Sequence, residues 1–298
     1  MAGGSTHRSP FADERPGLPT KEQALIFVHI PKSAGTTLNH VIAWEYSPFQ
    51  IVSVDGRFPR WAFRRMTRWT PRRLARSDVF TGHMPFGLDT FLGREANYVT
   101  ILRKPVERVI SEYFYRIGRK SHPLEDRGIK GFSLRDYVEK LPYDNVQTKL
   151  LAGGNQGYDF MAGRCSAAML ATAKRNLAER FSLVGLTERF EETLALAKLL
   201  FGWKVDRYAT MRVTPGKSKE KAVPADMREL IAEHNRYDVE LYQYGVELFE
   251  RTLAPYRERL PAMLDEVRKA RLPEGAESKQ YRVISFLRRL IIRTRSDL

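Results

Sequence analysis

The sequence predicts an α/β fold with a parallel sheet, and three observations predict it. A short apolar run leads through a loop into a helical pattern at 24–45, again at 98–114 and again at 181–201. The loops after the first two runs are rich in cations or hydroxyls, as expected at the strand edge where open α/β sheets hold ligands. At 298 residues and 43% hydrophobic, the chain is long and apolar enough for a real core, and its single cysteine, Cys165, leaves that core without an internal disulfide.

Taken in order, residues 1–20 are rich in Gly, Ser, Thr and Pro and read as a flexible tail. Ala24 to Ile30 is mostly apolar and bounded by polar residues and a proline, which reads as a buried strand. Pro31 to Thr37 is a turn, and Thr37 to Glu45 is helical, with Leu38, Val41 and Ile42 at i, i+3 and i+4. Tyr98 to Leu102 is a second buried strand. Pro105 suits the first position of the next helix, whose stripe is Val106, Val109, Ile110 and Phe114. Phe181 to Gly185 is a third strand, followed by a helix over about 189–201, and long helical patterns cover 226–236 and 238–270. Residues 272–278 read as a linker. Beyond it, Tyr281 to Arg295 forms a basic amphipathic pattern, with Val283, Phe286, Leu287, Leu290 and Ile291 on one face. Such a helix can lie on an anionic membrane, or dock on its own domain or on a second copy.

Lysine and arginine total 50 against 35 acids, a net charge of +15. That field favours anionic partners without choosing among nucleic acid, acidic polysaccharide, phosphate or sulfate ligands and anionic membrane. There is no run of 18 apolar residues, and residues 1–20 lack the apolar stretch of a secretory signal. The expectation is a cytoplasmic protein, with peripheral membrane contact through 281–295 as one reading of that helix.

Two loops carry chemistry. His29-Ile30-Pro31-Lys32-Ser33-Ala34-Gly35-Thr36-Thr37 joins a strand to a helix, where free N–H groups and the helix dipole favour an anion. Ala34 and Gly35 are small enough for a phosphate to approach the backbone; Ser33, Thr36 and Thr37 bring hydroxyls; Lys32 brings a full charge. The order is wrong for G-x-x-x-x-G-K-[ST], because Lys32 precedes Gly35, so an ordinary P-loop ATPase or GTPase is disfavoured. The alternative for this stretch is a plain helix cap. In the second loop, Arg103 ends a strand, and Arg108 and Ser111 stand three apart on one helix face, so the three can converge on a second phosphate. The bland reading of this stretch is a surface ion pair between Glu107 and an arginine.

On these residues the chain resembles the sulfotransferases that use 3′-phosphoadenosine 5′-phosphosulfate (PAPS). It is most similar to the branch of heparan sulfate and uronyl 2-O-sulfotransferases and their bacterial relatives. IFVHIPKSAGTTL (26–38) and YVTILRKPVERVISEYF (98–114) carry the resemblance, supported by TGHMPFG (81–87), YDNVQTKLLAG (143–153) and FSLVGLTERFEETL (181–194). It covers about residues 24–250. It implies a three-layer, P-loop-like nucleotide-binding α/β core with a parallel central sheet and C-terminal helices. The corresponding division is a tail at 1–20, a sulfotransferase domain at 21–255 and a helical extension at 256–298.

The implied reaction moves a sulfuryl group from PAPS to an acceptor hydroxyl, on a carbohydrate or glycoconjugate, and releases adenosine 3′,5′-bisphosphate. Lys32, Ser33, Ala34, Gly35, Thr36 and Thr37 would hold the 5′-phosphosulfate, and Arg103 and Ser111 the 3′-phosphate, with Arg108 bracing. A basic loop at 212–219, including Arg212 and Lys217, would close over the nucleotide. Lys32 is placed to meet the leaving-group charge. His83 is the candidate general base, since a neutral imidazole suits proton abstraction near pH 7. The 2-O-sulfotransferase branch places its base in a similar Gly-His element, but carries a second histidine where this chain has Thr81, which puts a uronic-acid acceptor in doubt. His29 reads as structural. Asn145, Gln147 and Lys149 could line the acceptor cleft or orient the base. The sequence has no metal-binding cluster, and the implied chemistry requires none.

Residues 57–76 hold eight arginines and no acid, interleaved with Phe58, Trp61, Phe63 and Trp69. They suit an acidic glycan, a nucleic-acid backbone, an anionic lipid surface, or simply a solvated face. The competing reading of the whole chain is a basic nucleic-acid-binding protein on an α/β scaffold. It has no recognised nucleic-acid motif and leaves both anion loops unexplained.

Overall fold

The computed structural model describes residues 23–53, 77–118, 131–153, 163–209 and 222–273, together with Leu74 and Ile129. The 1–20 tail, the 212–219 loop with Arg212 and Lys217, the 281–295 helix and all of the arginine-rich 57–76 segment except buried Leu74 lie outside the described residues.

Five parallel strands make one sheet in the order β2-β3-β1-β4-β5, with helices on both sides. The strands are β1 (Ala24–Val28), β2 (Ile51–Ser53), β3 (Val79–Gly82), β4 (Ala96–Leu102) and β5 (Phe181–Leu186). All five β1 residues are buried, as a central parallel strand requires. The chain leaves β1 for β2 and β3 on one side, then passes to β4 on the other, so the strand order reverses at β1. Parallel sheets open their ligand crevice at the C-terminal strand ends beside such a reversal.

α1 (Gly35–Glu45) follows β1, and α2 (Pro105–Ile117) follows β4 with Pro105 in its first turn, as expected from the missing N–H. Next come α3 (Leu134–Lys140), α4 (Val146–Ala152), α5 (Ala167–Arg180), α6 (Phe190–Phe201), α7 (Ala225–His234), α8 (Arg236–Leu253) and α9 (Leu260–Lys269). The apolar faces of α2, α3 and α7 share a satellite core of Val109, Ile110, Tyr113, Tyr137, Val138 and Ile231, while the main core wraps the sheet. α8 lies close on the sheet because Gly245 faces Leu102; a Cβ there would stand 2.3 Å from Leu102 Cδ1.

The expected helix at 238–270 is broken. α8 stops at Leu253, a 3₁₀ turn spans Ala254–Tyr256, and α9 starts at Leu260. Pro255, which has no N–H and crowds the preceding turn, accounts for the break. α9 packs back on the main core through Met263 and Val267, and Tyr208 N–H donates to Ala270 O at 2.9 Å. β2 and β3, three and four residues long, carry too little pattern to be read as strands from sequence. Among the described residues no helix is long and apolar enough to cross a membrane.

Candidate active site

The sheet register brings three loops to one edge. Val28 is level with Gly82 of β3 and Thr100 of β4, so the residues after β1, β3 and β4 emerge side by side. His29 N–H donates to Gly82 O at 2.9 Å, and the Thr100 hydroxyl donates to Val28 O at 3.0 Å, which pins the three strand ends together.

In the first loop Lys32 (φ 69°) and Ala34 (φ 54°) are both left-handed, a conformation that non-glycine residues rarely take and that concentrates at functional sites. Ala34 is the N-cap of α1 and has no side-chain oxygen to accept from the first-turn N–H groups. Ser33 is 1% exposed, and its Oγ has no hydrogen-bond partner. A buried hydroxyl without a partner beside an uncapped helix N-terminus fits an anion at that position. Thr36 is half-buried and Thr37 buried, with Thr37 N–H donating to Ala34 O at 2.9 Å. Lys32 Nζ sits 4.3 Å from the centre of the Tyr115 ring.

Gly35 meets a tighter constraint than phosphate approach. A Cβ on it would lie 2.0 Å from Cδ2 and 2.2 Å from Nε2 of His29.

The second loop joins the first directly, through a bond from Arg103 Nη1 to Lys32 O at 2.9 Å. Gln147, fully buried on α4, clamps the Arg103 backbone from both sides: its Oε1 accepts from Arg103 N–H and its Nε2 donates to Arg103 O, each at 3.0 Å. Ser111 is buried on α2, one turn before Tyr115.

Arg108 is paired within its own helix. It is 1% exposed and pairs with Glu112, which Arg116 also holds at 2.9 Å. Burial would push the Glu112 carboxyl up, but Arg116 and Arg108 more than offset this and hold it at about 2. A buried guanidinium needs a fixed counter-charge, so Arg108 braces α2 from within. Glu107 pairs with Arg228 at 2.6 Å, which is the ion pair that the bland reading of this stretch foresaw.

Asn145, Gln147 and Lys149 are all buried and bonded internally. Asn145 Oδ1 accepts from the N–H groups of Tyr237 and Asp238 at 2.9 and 3.0 Å, and Lys149 Nζ bonds Asp144 at 2.7 Å. Buried polar groups must find partners: Asn145 finds them on α8 and in the turn before it, Gln147 on the Arg103 backbone and Lys149 on Asp144. Asp238 caps α4, accepting from Gln147 and Thr148 N–H at 3.1 and 2.7 Å, and burial pushes its carboxyl up despite those donors and the Arg108 charge. Asp238, Glu112, Asn39 and Tyr115 carry no motif that marks them as site residues in the sequence. Only Glu112, four residues from both Arg108 and Arg116, and Tyr115, four beyond Ser111, left a local signal.

The third loop carries His83, half-buried after β3. Its Nδ1 lies 2.8 Å from His29 O. A carbonyl only accepts, so Nδ1 carries the proton and Nε2 of the neutral ring keeps its lone pair. His29 is buried beside it, its ring centre 4.3 Å from that of His83.

Fold and site together define an α/β protein that gathers the 32–37 loop, Arg103 and the His83 imidazole at one sheet edge. The chain belongs to the galactose-3-O-sulfotransferase family, whose sequence model matches residues 7–274. It is 26% identical over 210 residues to the heparan sulfate 2-O-sulfotransferase of Caenorhabditis elegans, covering 61% of each chain. It is 28% identical over 190 residues to galactose-3-O-sulfotransferase 3 of Homo sapiens, covering 59% of this chain and 43% of the relative. Against human heparan-sulfate 6-O-sulfotransferase 1 the figures are 25% over 284 residues, with 77% and 66% covered. The chain thus spans about half to two-thirds of the length of these relatives.

Proposed function

We propose that this chain transfers a sulfuryl group from PAPS to a hydroxyl of a glycan. The observation that supports this reading is the Arg103–Lys32 bond, which ties the loop after β4 to the loop after β1 at the edge where His83 stands. Bound PAPS supplies the sulfuryl group as an activated phosphosulfate, leaving adenosine 3′,5′-bisphosphate.

The chain's own residues do the rest. The 32–37 loop holds the 5′-phosphosulfate: the Ser33 hydroxyl and the first-turn N–H groups of α1 bond its oxygens, and the Lys32 ammonium, with Thr36 and Thr37 hydroxyls nearby, meets the charge that grows on the leaving oxygen. Arg103 and Ser111 hold the 3′-phosphate, with Gln147 fixing the Arg103 backbone. His83 Nε2 takes the acceptor hydroxyl proton; its Nδ1–H bond to the His29 carbonyl steadies the imidazolium that results. A glycan acceptor is favoured by the relatives, whose names specify galactose and heparan sulfate.

The test is transfer of radiolabelled sulfate from PAPS to two probes, a galactose-terminated disaccharide and an N-sulfated heparosan oligosaccharide. The expected result is label on one of them, with His83→Ala reducing turnover by about 10²–10⁴ while leaving adenosine 3′,5′-bisphosphate affinity within about twofold. Label on neither, from folded protein that binds the bisphosphate, removes the glycan assignment.

A further inference from the structure

We infer that His29 is a positioning residue for His83, holding its imidazole in the protonated-Nδ1 form through the carbonyl and the ring together. The inference rests on the sulfotransferase reading only for its consequence in turnover; the geometry concerns this chain alone.

The bonding pattern assigns His29 its own proton. The Thr81 hydroxyl donates to Asn39 Oδ1, so the other end of that amide, Nδ2, is the donor facing His29 Nδ1 at 3.5 Å. His29 Nδ1 therefore accepts, and His29 carries its proton on Nε2. That nitrogen lies against Gly35, where a Cβ would stand 2.2 Å away.

Two aromatic rings pack against the His29 ring. Phe27 stacks on it, with ring centres 5.5 Å apart and planes within 13°. His83 leans on it at 4.3 Å, and the whole residue is 6% exposed. Thr81, Asn39 and His29 thus form a buried polar chain from β3 through α1 to the end of β1, and it ends on the imidazole of His83. A neutral imidazole in water prefers its proton on Nε2, which would leave no lone pair where an acceptor proton must go. The His29 carbonyl opposes that preference, but only while the His83 ring is kept in line with it, and the His29 ring is the surface that keeps it there.

The experiment reads the His83 tautomer by ¹⁵N NMR of histidine-labelled protein, with and without adenosine 3′,5′-bisphosphate, in wild type, His29→Ala and His29→Phe. Wild type is expected to show His83 protonated on Nδ1. His29→Ala is expected to show a mixture with the Nε2–H form, and a turnover loss of about tenfold or more, with bisphosphate affinity within about twofold. His29→Phe keeps a ring against His83 and is expected to restore the Nδ1–H form. Asn39→Ala, which removes the amide that orients His29, gives a second route and is expected to shift the tautomer in the same direction. A folded His29→Ala protein that keeps the wild-type tautomer overturns the inference, and so does loss of bisphosphate binding in parallel with turnover. Failure of the wild type to bind the bisphosphate would instead sink the sulfotransferase reading and leave the tautomer result standing by itself.

Discussion

Replacing Gly35 with alanine tests how tightly the first anion loop is built onto His29. The added Cβ would sit 2.0 Å from Cδ2, 2.2 Å from Nε2 and 2.8 Å from Cγ of the His29 ring. Ordinary carbon contacts lie near about 3.5–4.0 Å, so ring and helix must part by about 1.5 Å or more. The ring has little room to do so, being buried between Phe27 and His83. Overpacking of this kind costs about 1–3 kcal/mol. Gly35 is not at positive φ, so alanine also gains about 0.4–1 kcal/mol through the unfolded chain. The expected net effect of Gly35→Ala is a loss of up to about 2.5 kcal/mol. In a His29→Ala background the clash is gone and only the backbone gain remains, so the same substitution becomes neutral or stabilising. Urea unfolding of the four proteins of this cycle measures the coupling, with an unchanged m-value as the check that the denatured state is the same. An equal cost of Gly35→Ala in both backgrounds would refute the contact with His29 as the reason for the glycine.

Other expectations follow from the buried charges and the Lys32 contact. Glu112→Gln leaves Arg108 buried without its counter-charge and is expected to cost about 3–5 kcal/mol at neutral pH. The folded Glu112 value, about 2, lies below its ordinary 4.5, so its contribution is complete above about pH 4.5 and fades as the pH falls toward 2. A shift of that size is worth about 3 kcal/mol, and acid titrations of stability should show that limb in wild type and not in Glu112→Gln. Tyr115→Leu is expected to couple with Lys32→Met by about 0.5–2 kcal/mol in a stability cycle, the range for a cation over an aromatic face, while Tyr115→Phe retains the coupling. Zero coupling in the leucine cycle would show that the contact contributes nothing.

Much of the fold was legible because its signals are local. The apolar runs at 24–30, 98–102 and 181–185 fall on the parallel strands Ala24–Val28, Ala96–Leu102 and Phe181–Leu186, and Pro105 opens α2 where its missing N–H predicts. Lys32 to Thr37, Arg103 and His83 were likewise legible as strand-end residues, and the register set them side by side. The illegible part is long-range. Nothing near Gln147 in sequence says that it clamps Arg103, 44 residues away, and nothing near Asp238 says that it caps a helix about 90 residues earlier. Asn145, Gln147 and Lys149 looked available for an acceptor because a polar run on a short helix gives no sign of the α8 residues that bury it. Gly35 shows a subtler gap: its smallness was evident, but the His29 ring that demands it becomes visible only once β1 and α1 are folded together.

On the proposed reading, the two loops hold one nucleotide with a phosphate at each end. Thermal stability with and without adenosine 3′,5′-bisphosphate, in wild type, Lys32→Ala and Arg103→Ala, tests it most directly. Ligand at about 100 times its Kd adds about 2.7 kcal/mol to the folded state. The expected result is an upward shift of the wild-type midpoint that shrinks in both variants. A folded wild type with no shift at millimolar ligand, or a shift that both variants retain in full, would contradict it.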